Sequence, residues 1–282
     1  METLIPNRLS TLGHPQRLAL FRLLMRRYPD RIPATELAQA LGVKPNTLST
    51  YVSALMQAGL ISQERVGTSL RYAIDMDAAR ETIDYLLHDC CRGRPEICAP
   101  NAYSAIHRDI QPADRKVNVL FICTGNSARS IFAESILRDL AGDRFIAYSA
   151  GTKPRLELNS FALEVLEQKG HDVSALRSKN ISEFQGANAP NFDFVFTVCN
   201  QAANEECTTW PGPPISAHWG LPDPVEVEGF DTQKSIAFRK TYGALRNRMI
   251  AFSALPFASL DLVSLQKAAD GIGQSTDKGS QI

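Results

Sequence analysis

Apolar residues recur at helical spacing through the front of the chain, and in short strand-like runs between helical stretches through the back. Leu18, Phe21, Leu24 and Met25 share one face of a helix. Residues 34–41 form a second, shorter amphipathic helix ending at Gly42, the residue type that most easily takes the left-handed closing conformation. After a three-residue turn, Leu48, Val52, Leu55 and Met56 fall at i, i+4, i+7 and i+8, leaving Asn46, Thr47, Ser49, Thr50 and Tyr51 near an exposed N-terminal face. ISQERVGTSLRYAI then alternates as a hairpin, with Gly67, Thr68 and Ser69 near its tip and Arg65 and Arg71 on its flanks. Helix, turn, helix and hairpin in this order predict a winged helix-turn-helix. A further helix places Ile83, Leu86, Leu87 and Cys90 on one face.

The back half alternates strand and helix. VNVLFIC (117–123) is an apolar run rich in β-branched residues, and SIFAESILRDLAG follows with Ile131, Ile136 and Leu140 at helical spacing. FIAYSAG, SFALEVLEQKG and FDFVFTVC continue the pattern, which favours a parallel sheet with helices on its faces. A last helix is expected over 232–255, and QKAADGIGQSTDKGSQI after Leu265 has no apolar period. The expected organisation is therefore a DNA-binding and sensing domain at 1–98, a linker at 99–115, a second domain at 116–265 and a disordered tail at 266–282.

Thirty basic and thirty acidic residues give zero formal charge, which argues against a chain that coats nucleic acid throughout. The balance is uneven: residues 1–74 carry nine basic side chains against four acidic ones. No run approaches the ~18 apolar residues of a membrane span, and no apolar leader is visible, so a cytoplasmic protein without membrane partners is expected. Lys44, Pro45, Asn46, Ser49 and Thr50 on the second helix of the motif, with Arg65 and Arg71 on the hairpin, are the candidate contacts to bases and phosphates. A small helical domain packing against protein is the alternative. Operator DNA read as two half-sites implies a homodimer.

The six cysteines are too sparse for a disulfide scaffold in a chain of 282 residues. Cys90 and Cys91 are adjacent, and Gly93 and Pro95 let the chain turn back toward Cys98. Three soft thiolates suit a trivalent metalloid, whereas zinc and iron–sulfur centres usually take four ligands. His88 or Asp89 completing a zinc site, and Cys90 as a small hydrophobe buried at a dimer contact, are the competing readings.

The other trio begins with CTGNSARS, a Cys-x5-Arg loop between a strand and a helix. Five intervening residues let the backbone N–H groups of Thr124, Gly125, Asn126, Ser127, Ala128, Arg129 and Ser130 curl around one tetrahedral oxyanion, aided by the helix N-terminus. Arg129 can grip two anion oxygens, and the same positive field favours the thiolate of Cys123, with Ser130 placed to hydrogen-bond it. Gly125 and Asn126 suit positive φ.

These motifs carry two resemblances. Residues from about 7 to 98, most strongly TELAQALGVKPNTLSTYVSALMQAGLI, resemble the ArsR family of dimeric winged-helix repressors that leave DNA on binding a metal or metalloid. Cys90, Cys91 and Cys98 resemble the arsenite-binding trio of an atypical subset, and no cysteine occurs at the start of the recognition helix. From Lys116 to about Leu265, CTGNSARS, YSAGTKP, FTVC and HWGLPDP resemble low-molecular-weight protein tyrosine phosphatases, and more closely the arsenate reductases built on that fold. The fold class implied is an α+β winged helix-turn-helix domain followed by an α/β domain with a parallel sheet.

The second resemblance implies that Cys123 attacks the oxyanion, Arg129 binds it and Asp223 protonates the leaving oxygen. It also implies that Cys199 and Cys207 form a redox pair closed by thioredoxin or glutaredoxin, with no tightly bound cofactor. Phosphatases of the fold need no such pair, and their adjacent tyrosines have no counterpart in LPDPVEVEGF. The Cys199-x7-Cys207 spacing is one residue longer than usual, Thr208 replaces a proline, and Ala128 stands where many members carry a cysteine. Glu134 and Ser149 match residues that hold potassium in some relatives, but Asn180 replaces the expected carboxylate. Together the two halves imply an arsenic-responsive repressor fused to an enzyme that converts arsenate to arsenite, the sensor's ligand. The alternatives are a phosphatase joined to a DNA-binding regulator, or a repressor whose second domain senses oxyanions without turnover.

Overall fold

The computed structural model describes residues 4–92, 115–186, 189–205, 210 and 214–275. The chain divides into two compact units, residues 1–108 and 109–282. The linker expected at 99–115 lies almost wholly outside the described residues.

The first unit opens with α1 (Leu4–Leu12), which the apolar pattern does not predict. Its buried face is Ile5, Arg8 and Thr11, a set in which one residue of three is apolar. Arg8 replaces the missing hydrophobic contact with polar ones. Its guanidinium donates to the carbonyls of Ala58 at 3.2 Å and Ala78 at 3.3 Å, and pairs with Glu81 at 2.7 Å. In α2 (Pro15–Arg26) the buried residues are Leu20, Leu23 and Leu24, while Leu18 and Met25 are exposed. The stretch LALFRLLM is apolar almost all round, so spacing alone does not choose its inner face.

The rest of the motif forms as expected. α3 (Ala34–Leu41) closes on Gly42 at φ +64°, and α4 (Pro45–Gln57) starts with proline in its first turn and buries Leu48, Val52 and Leu55. Met56, expected on the same face, is exposed. β2 (Ile61–Val66) and β3 (Ser69–Ile74) pair antiparallel from Ile61↔Ile74 to Val66↔Ser69, leaving Gly67 and Thr68 as the turn. A two-residue β1 (Ile32–Pro33) completes the sheet in the order β1-β3-β2. α5 (Met76–Asp84) runs into one wide π-helical segment, Tyr85–Cys90. The widened turn breaks the 3.6-residue period on which a common face for Ile83, Leu86, Leu87 and Cys90 rests: Ile83 is 55% exposed and Cys90 is exposed. Cys90 is therefore not covered by its own chain.

The second unit is a four-stranded, all-parallel sheet in the order β5-β4-β6-β7. The strands are β4 (Val117–Cys123), β5 (Phe145–Gly151), β6 (Phe194–Thr197) and β7 (Ile215–His218). β4 is central, and Phe121 and Ile122 are fully buried, as a strand covered on both faces requires. The helices are α6 (Arg129–Ala141), α7 (Ser160–Gln168), the short α8 (Asn200–Asn204) and α9 (Asp231–Ser253). On α6, Leu137 is buried where Leu140 was expected; Leu140 is 42% exposed. The core is aromatic: Phe196 stacks on Trp219 at 4.0 Å, and both meet Phe252 edge-on.

The tail expected to be disordered from residue 266 is instead helical to Gln274. α10 (Leu262–Gln274) buries Leu265, Ala269 and Ile272. Small residues let it dock: a Cβ at Gly273 would lie 2.5 Å from the His218 carbonyl and 2.7 Å from the Trp219 ring. Trp219 Nε1 donates to the Ala269 carbonyl at 2.9 Å, and Arg248 bridges the carbonyls of Trp219 at 2.7 Å and Gly273 at 3.1 Å. Leu265, Ala269 and Ile272 form only a short apolar face, set among small and polar residues, and glycine and backbone carbonyls complete the docking. Replacing Gly273 by Leu should overpack this contact and cost about 1–3 kcal/mol, a fall of several degrees in the melting temperature of the second unit. Calorimetry with amide exchange across 262–274 checks it, and unchanged protection there would show that α10 is not docked through Gly273.

Candidate active site and DNA-contact surface

The Cys-x5-Arg loop lies at the carboxyl end of the central strand, where open parallel sheets present their ligand crevice. Cys123 ends β4 and Arg129 begins α6, so a strand end and a helix N-terminus bracket the loop. The segment after β5 holds the loop from outside: Thr152, Lys153, Arg155 and Asn159 donate their backbone N–H groups to the carbonyls of Cys123, Thr124, Gly125 and Ser127 at 2.9–3.1 Å. With those carbonyls engaged outward, the loop amides are free to serve the inner side, where the Asn126 N–H reaches Cys123 Sγ at 3.1 Å. Gly151 makes this closeness possible, since a Cβ there would sit 2.6 Å from the Thr124 carbonyl.

Asn126 takes φ +42° and is completely buried. Asparagine tolerates this left-handed conformation better than other residues with a Cβ, and its side chain is held at both ends. Its Nδ2 donates to Ser130 Oγ and Ser149 Oγ, each at 2.8 Å, and its Oδ1 accepts from the Lys179 backbone N–H at 2.7 Å. Ser149 in turn donates to Glu134, whose carboxylate also takes the Lys179 ammonium at 2.8 Å.

Around Cys123, Ser130 Oγ lies 3.0 Å from its Sγ. Cys199 caps α8, its sulfur accepting the Ala202 N–H at 3.4 Å, and the same sulfur lies 3.4 Å from the Thr124 hydroxyl at the edge of the loop. Cys123 and Cys199 are both buried and free. Arg129 donates to the Leu221 carbonyl at 3.0 Å and pairs with Asp223, which caps the 3-10 turn Pro224–Glu226 by accepting the Val225 N–H at 3.1 Å. The structure thus brings together Cys123, Arg129, Cys199 and Asp223 with the loop residues 124–130. Cys207 lies outside the described residues.

Burial pushes the Cys123 thiol above its ordinary pKa, and the neighbouring Cys199 sulfur acts in the same direction. The Ser130 hydrogen bond and the Arg129 charge pull it down. The field expected to favour the thiolate is therefore real in those two groups but outweighed by desolvation of the sulfur.

Spacing alone does not reveal Lys179 or Gly151. Lys179 sits in an irregular segment without a period, and the YSAG run containing Gly151 reads as a strand end. The potassium site implied by Glu134 and Ser149 does not fit these residues. The Glu134 carboxylate already holds an ammonium, and Asn180 Oδ1 is turned to capping, accepting the Ser182 N–H at 2.9 Å.

In the first unit Lys44, Pro45, Asn46, Ser49 and Thr50 are all exposed along the start of α4. The Ser49 and Thr50 hydroxyls bond back to the carbonyls of Pro45 and Asn46 at 3.1 and 3.3 Å. Arg65 is exposed on the wing, whereas Arg71 is half-buried, opposite Glu64 and Pro33 in register. Cys90 is exposed and Cys91 half-exposed at the end of the π-helical segment, and Cys98 lies outside the described residues. Among the described residues no group of three metal-ligating side chains is assembled, and no helix is long and apolar enough to cross a membrane.

Comparison with known proteins supports the two halves separately. The family model described as low molecular weight phosphotyrosine protein phosphatase matches residues 118–263, and a helix-turn-helix domain model matches residues 12–64. The chain is 33% identical over 135 residues to proteins named arsenate reductase from Halalkalibacterium halodurans and from Bacillus subtilis strain 168. Each match covers 48% of this chain and 94% of the relative. Among solved structures, one described as an arsenate reductase in the phosphate binding state matches with 26% identity and a TM-score of 0.36, covering 48% of this chain and 94% of that one.

The opposing influences on Cys123 set a direct test. Cys199→Ala should move the pH profile of Cys123 alkylation by iodoacetamide to lower pH, because one influence raising the thiol is removed. Ser130→Ala should move it to higher pH. Profiles that stay together in all three proteins would mean that neither neighbour reaches the sulfur.

Proposed function

The chain belongs to the low molecular weight phosphotyrosine protein phosphatase family, and from that premise we propose that it joins an arsenate reductase to an arsenic-responsive repressor of the ArsR type. The observation that carries the enzymatic reading is the Cys199 sulfur, buried at the rim of the loop that holds Cys123. Phosphate ester hydrolysis needs one nucleophilic thiol, whereas reduction of an oxyanion needs a second to accept the first in a disulfide. Two relatives of that name at 33% identity support the same choice.

In the proposed reaction, arsenate lies in the loop against its N–H groups and the Arg129 guanidinium. The Cys123 thiolate forms a bond to As(V) as one oxygen leaves, taking a proton from Asp223 and departing as water. The Cys199 thiolate then attacks Cys123 Sγ. As the new S–S bond forms, the S–As bond breaks with its electron pair kept on arsenic, so arsenic leaves as As(III) and the two thiols lose two electrons. Cys207, assigned by its sequence position, attacks Cys199 and releases Cys123. The dithiol of thioredoxin or glutaredoxin reduces the resulting Cys199–Cys207 disulfide. Asp223 reaches its role from an ion pair with Arg129, so an incoming anion competes with a carboxylate for one guanidinium, which couples anion binding to release of the acid.

In the first unit, α4 would read the major groove through Lys44, Pro45, Asn46, Ser49 and Thr50, with Arg65 and Arg71 at the wing. Arsenite bound by Cys90, Cys91 and Cys98 would release the operator from the homodimer. The exposed Cys90 and half-exposed Cys91 at the end of a widened helical turn support a ligand-accessible sensor. The division into domains at 1–98 and 116–265 belongs to the same proposal, with the second domain extended through α10.

Arsenate turnover with thioredoxin should fall roughly 10³-fold or more in Cys123→Ser, Cys199→Ser and Cys207→Ser, while the last two still hydrolyse a phenyl phosphate slowly. If either relay variant keeps arsenate turnover and phenyl phosphate is the better substrate, the phosphatase reading replaces this one. In a gel shift, arsenite should release the intact protein and Cys123→Ser alike, and arsenate only the intact protein supplied with reductant. Release of Cys123→Ser by arsenate, or release by arsenite of the variant with Cys90, Cys91 and Cys98 all changed to Ser, would refute the division of labour between the two trios.

A further inference from the structure

We propose that Lys179 is the resident monovalent cation of this active site, its ammonium taking the place of a bound potassium ion in fixing the clamp that positions the oxyanion loop. This rests on the loop reading given under Proposed function. The Lys179 side chain is 9% exposed and its partner Glu134 14% exposed, at 2.8 Å, so the pair is nearly dry. A charge so buried is retained where it is paired and hydrogen-bonded, and Lys179 Nζ adds a second bond to the Arg177 carbonyl at 3.2 Å. Its other charged neighbours are accounted for: Arg177 is engaged with Glu183, which also accepts the Asn180 N–H at 3.1 Å.

Lys179 holds the loop from both of its ends. Its backbone N–H donates straight to Asn126 Oδ1, and its ammonium acts through Glu134 and Ser149 on Asn126 Nδ2. Asn126 is the left-handed residue whose N–H touches Cys123 Sγ and whose amide also orients Ser130. The path from ammonium to nucleophile is therefore a continuous set of hydrogen bonds through one buried carboxylate. A second cation at Glu134 would meet the ammonium at close range, and Asn180 offers it no carboxylate. Lys179 is thus a positioning residue, and the site it builds needs no added metal ion.

The test uses the full chain and reads the loop apart from turnover, through protection of Cys123 from iodoacetamide by sulfate. The unaltered protein should show the same protection and the same arsenate kcat/KM when potassium replaces sodium at constant ionic strength. Lys179→Met should weaken both by roughly ten- to hundredfold, the scale expected of a displaced reacting group, and potassium or ammonium should restore both. Lys179→Arg, which keeps the charge, should stay within a few-fold of the parent in sodium. Should Lys179→Met not fold, Glu134→Gln/Lys179→Met removes both charges and should fold and remain indifferent to the cation. An unaltered protein activated by potassium, or a Lys179→Met variant with full sulfate protection in sodium, overturns the assignment. If arsenate turnover is absent throughout while sulfate protection follows this pattern, the reductase reading fails and the role of Lys179 stands.

Discussion

The left-handed conformation of Asn126 is the constraint on which the second unit turns. A loop can present its N–H groups to one anion only if its carbonyls are engaged elsewhere and its backbone reverses sharply at one point. Here the carbonyls are taken by the chain after β5, and the reversal falls on a residue with a side chain that can be held. Glycine would reach the same φ without strain, but it could not bond to Ser130, Ser149 and the Lys179 backbone at once. Asparagine accepts some backbone cost in exchange for a buried clamp that joins β4, α6, β5 and the segment before Ile181.

That clamp also explains why the nucleophile is a compromise. Burial raises the Cys123 thiol, and the Cys199 sulfur, which the proposed relay would use, raises it further. Ser130 and Arg129 work against both. Pairing of Arg129 with Asp223 ties part of the available positive charge to the acid loop. Under the proposed function, an oxyanion that draws Arg129 toward the loop would change this balance and so link substrate binding to activation of Cys123 through one guanidinium.

What the sequence revealed was what is encoded locally. CTGNSARS between a strand and a helix fixes an anion loop because spacing, glycine, asparagine and arginine all act within eight residues. The helix-turn-helix and wing were legible for the same reason, down to Gly42 and the Gly67-Thr68 turn. Features held by distant polar groups were not. α1 is docked by the buried guanidinium of Arg8, α10 by Trp219 and Arg248 on backbone carbonyls, and the loop clamp by a lysine from an aperiodic segment. In α1 and the Lys179 segment hydrogen bonds do the work that large side chains do elsewhere, and in α10 they supplement a short apolar face of Leu265, Ala269 and Ile272. The π-helical segment that runs into the cysteine doublet is a second kind of miss, since a period of 3.6 cannot foresee where a helix widens.

The two groups of cysteines occupy opposite environments, and under the proposed function this separates the two oxidation states of arsenic. Cys123 and Cys199 are buried beside amides and a guanidinium, groups that attract a hard, oxygen-sheathed anion. Cys90 is exposed and Cys91 half-exposed at the end of a helix. Bare soft thiolates of that kind favour As(III), which binds sulfur directly, over arsenate, whose charge is carried on oxygen. A ligand can shift a repressor only by binding one of its states better than the other. Under the proposed function, a buried, amide-lined pair at one site and an accessible pair at the other would make the product of the first chemistry, and not its substrate, the ligand with that differential affinity.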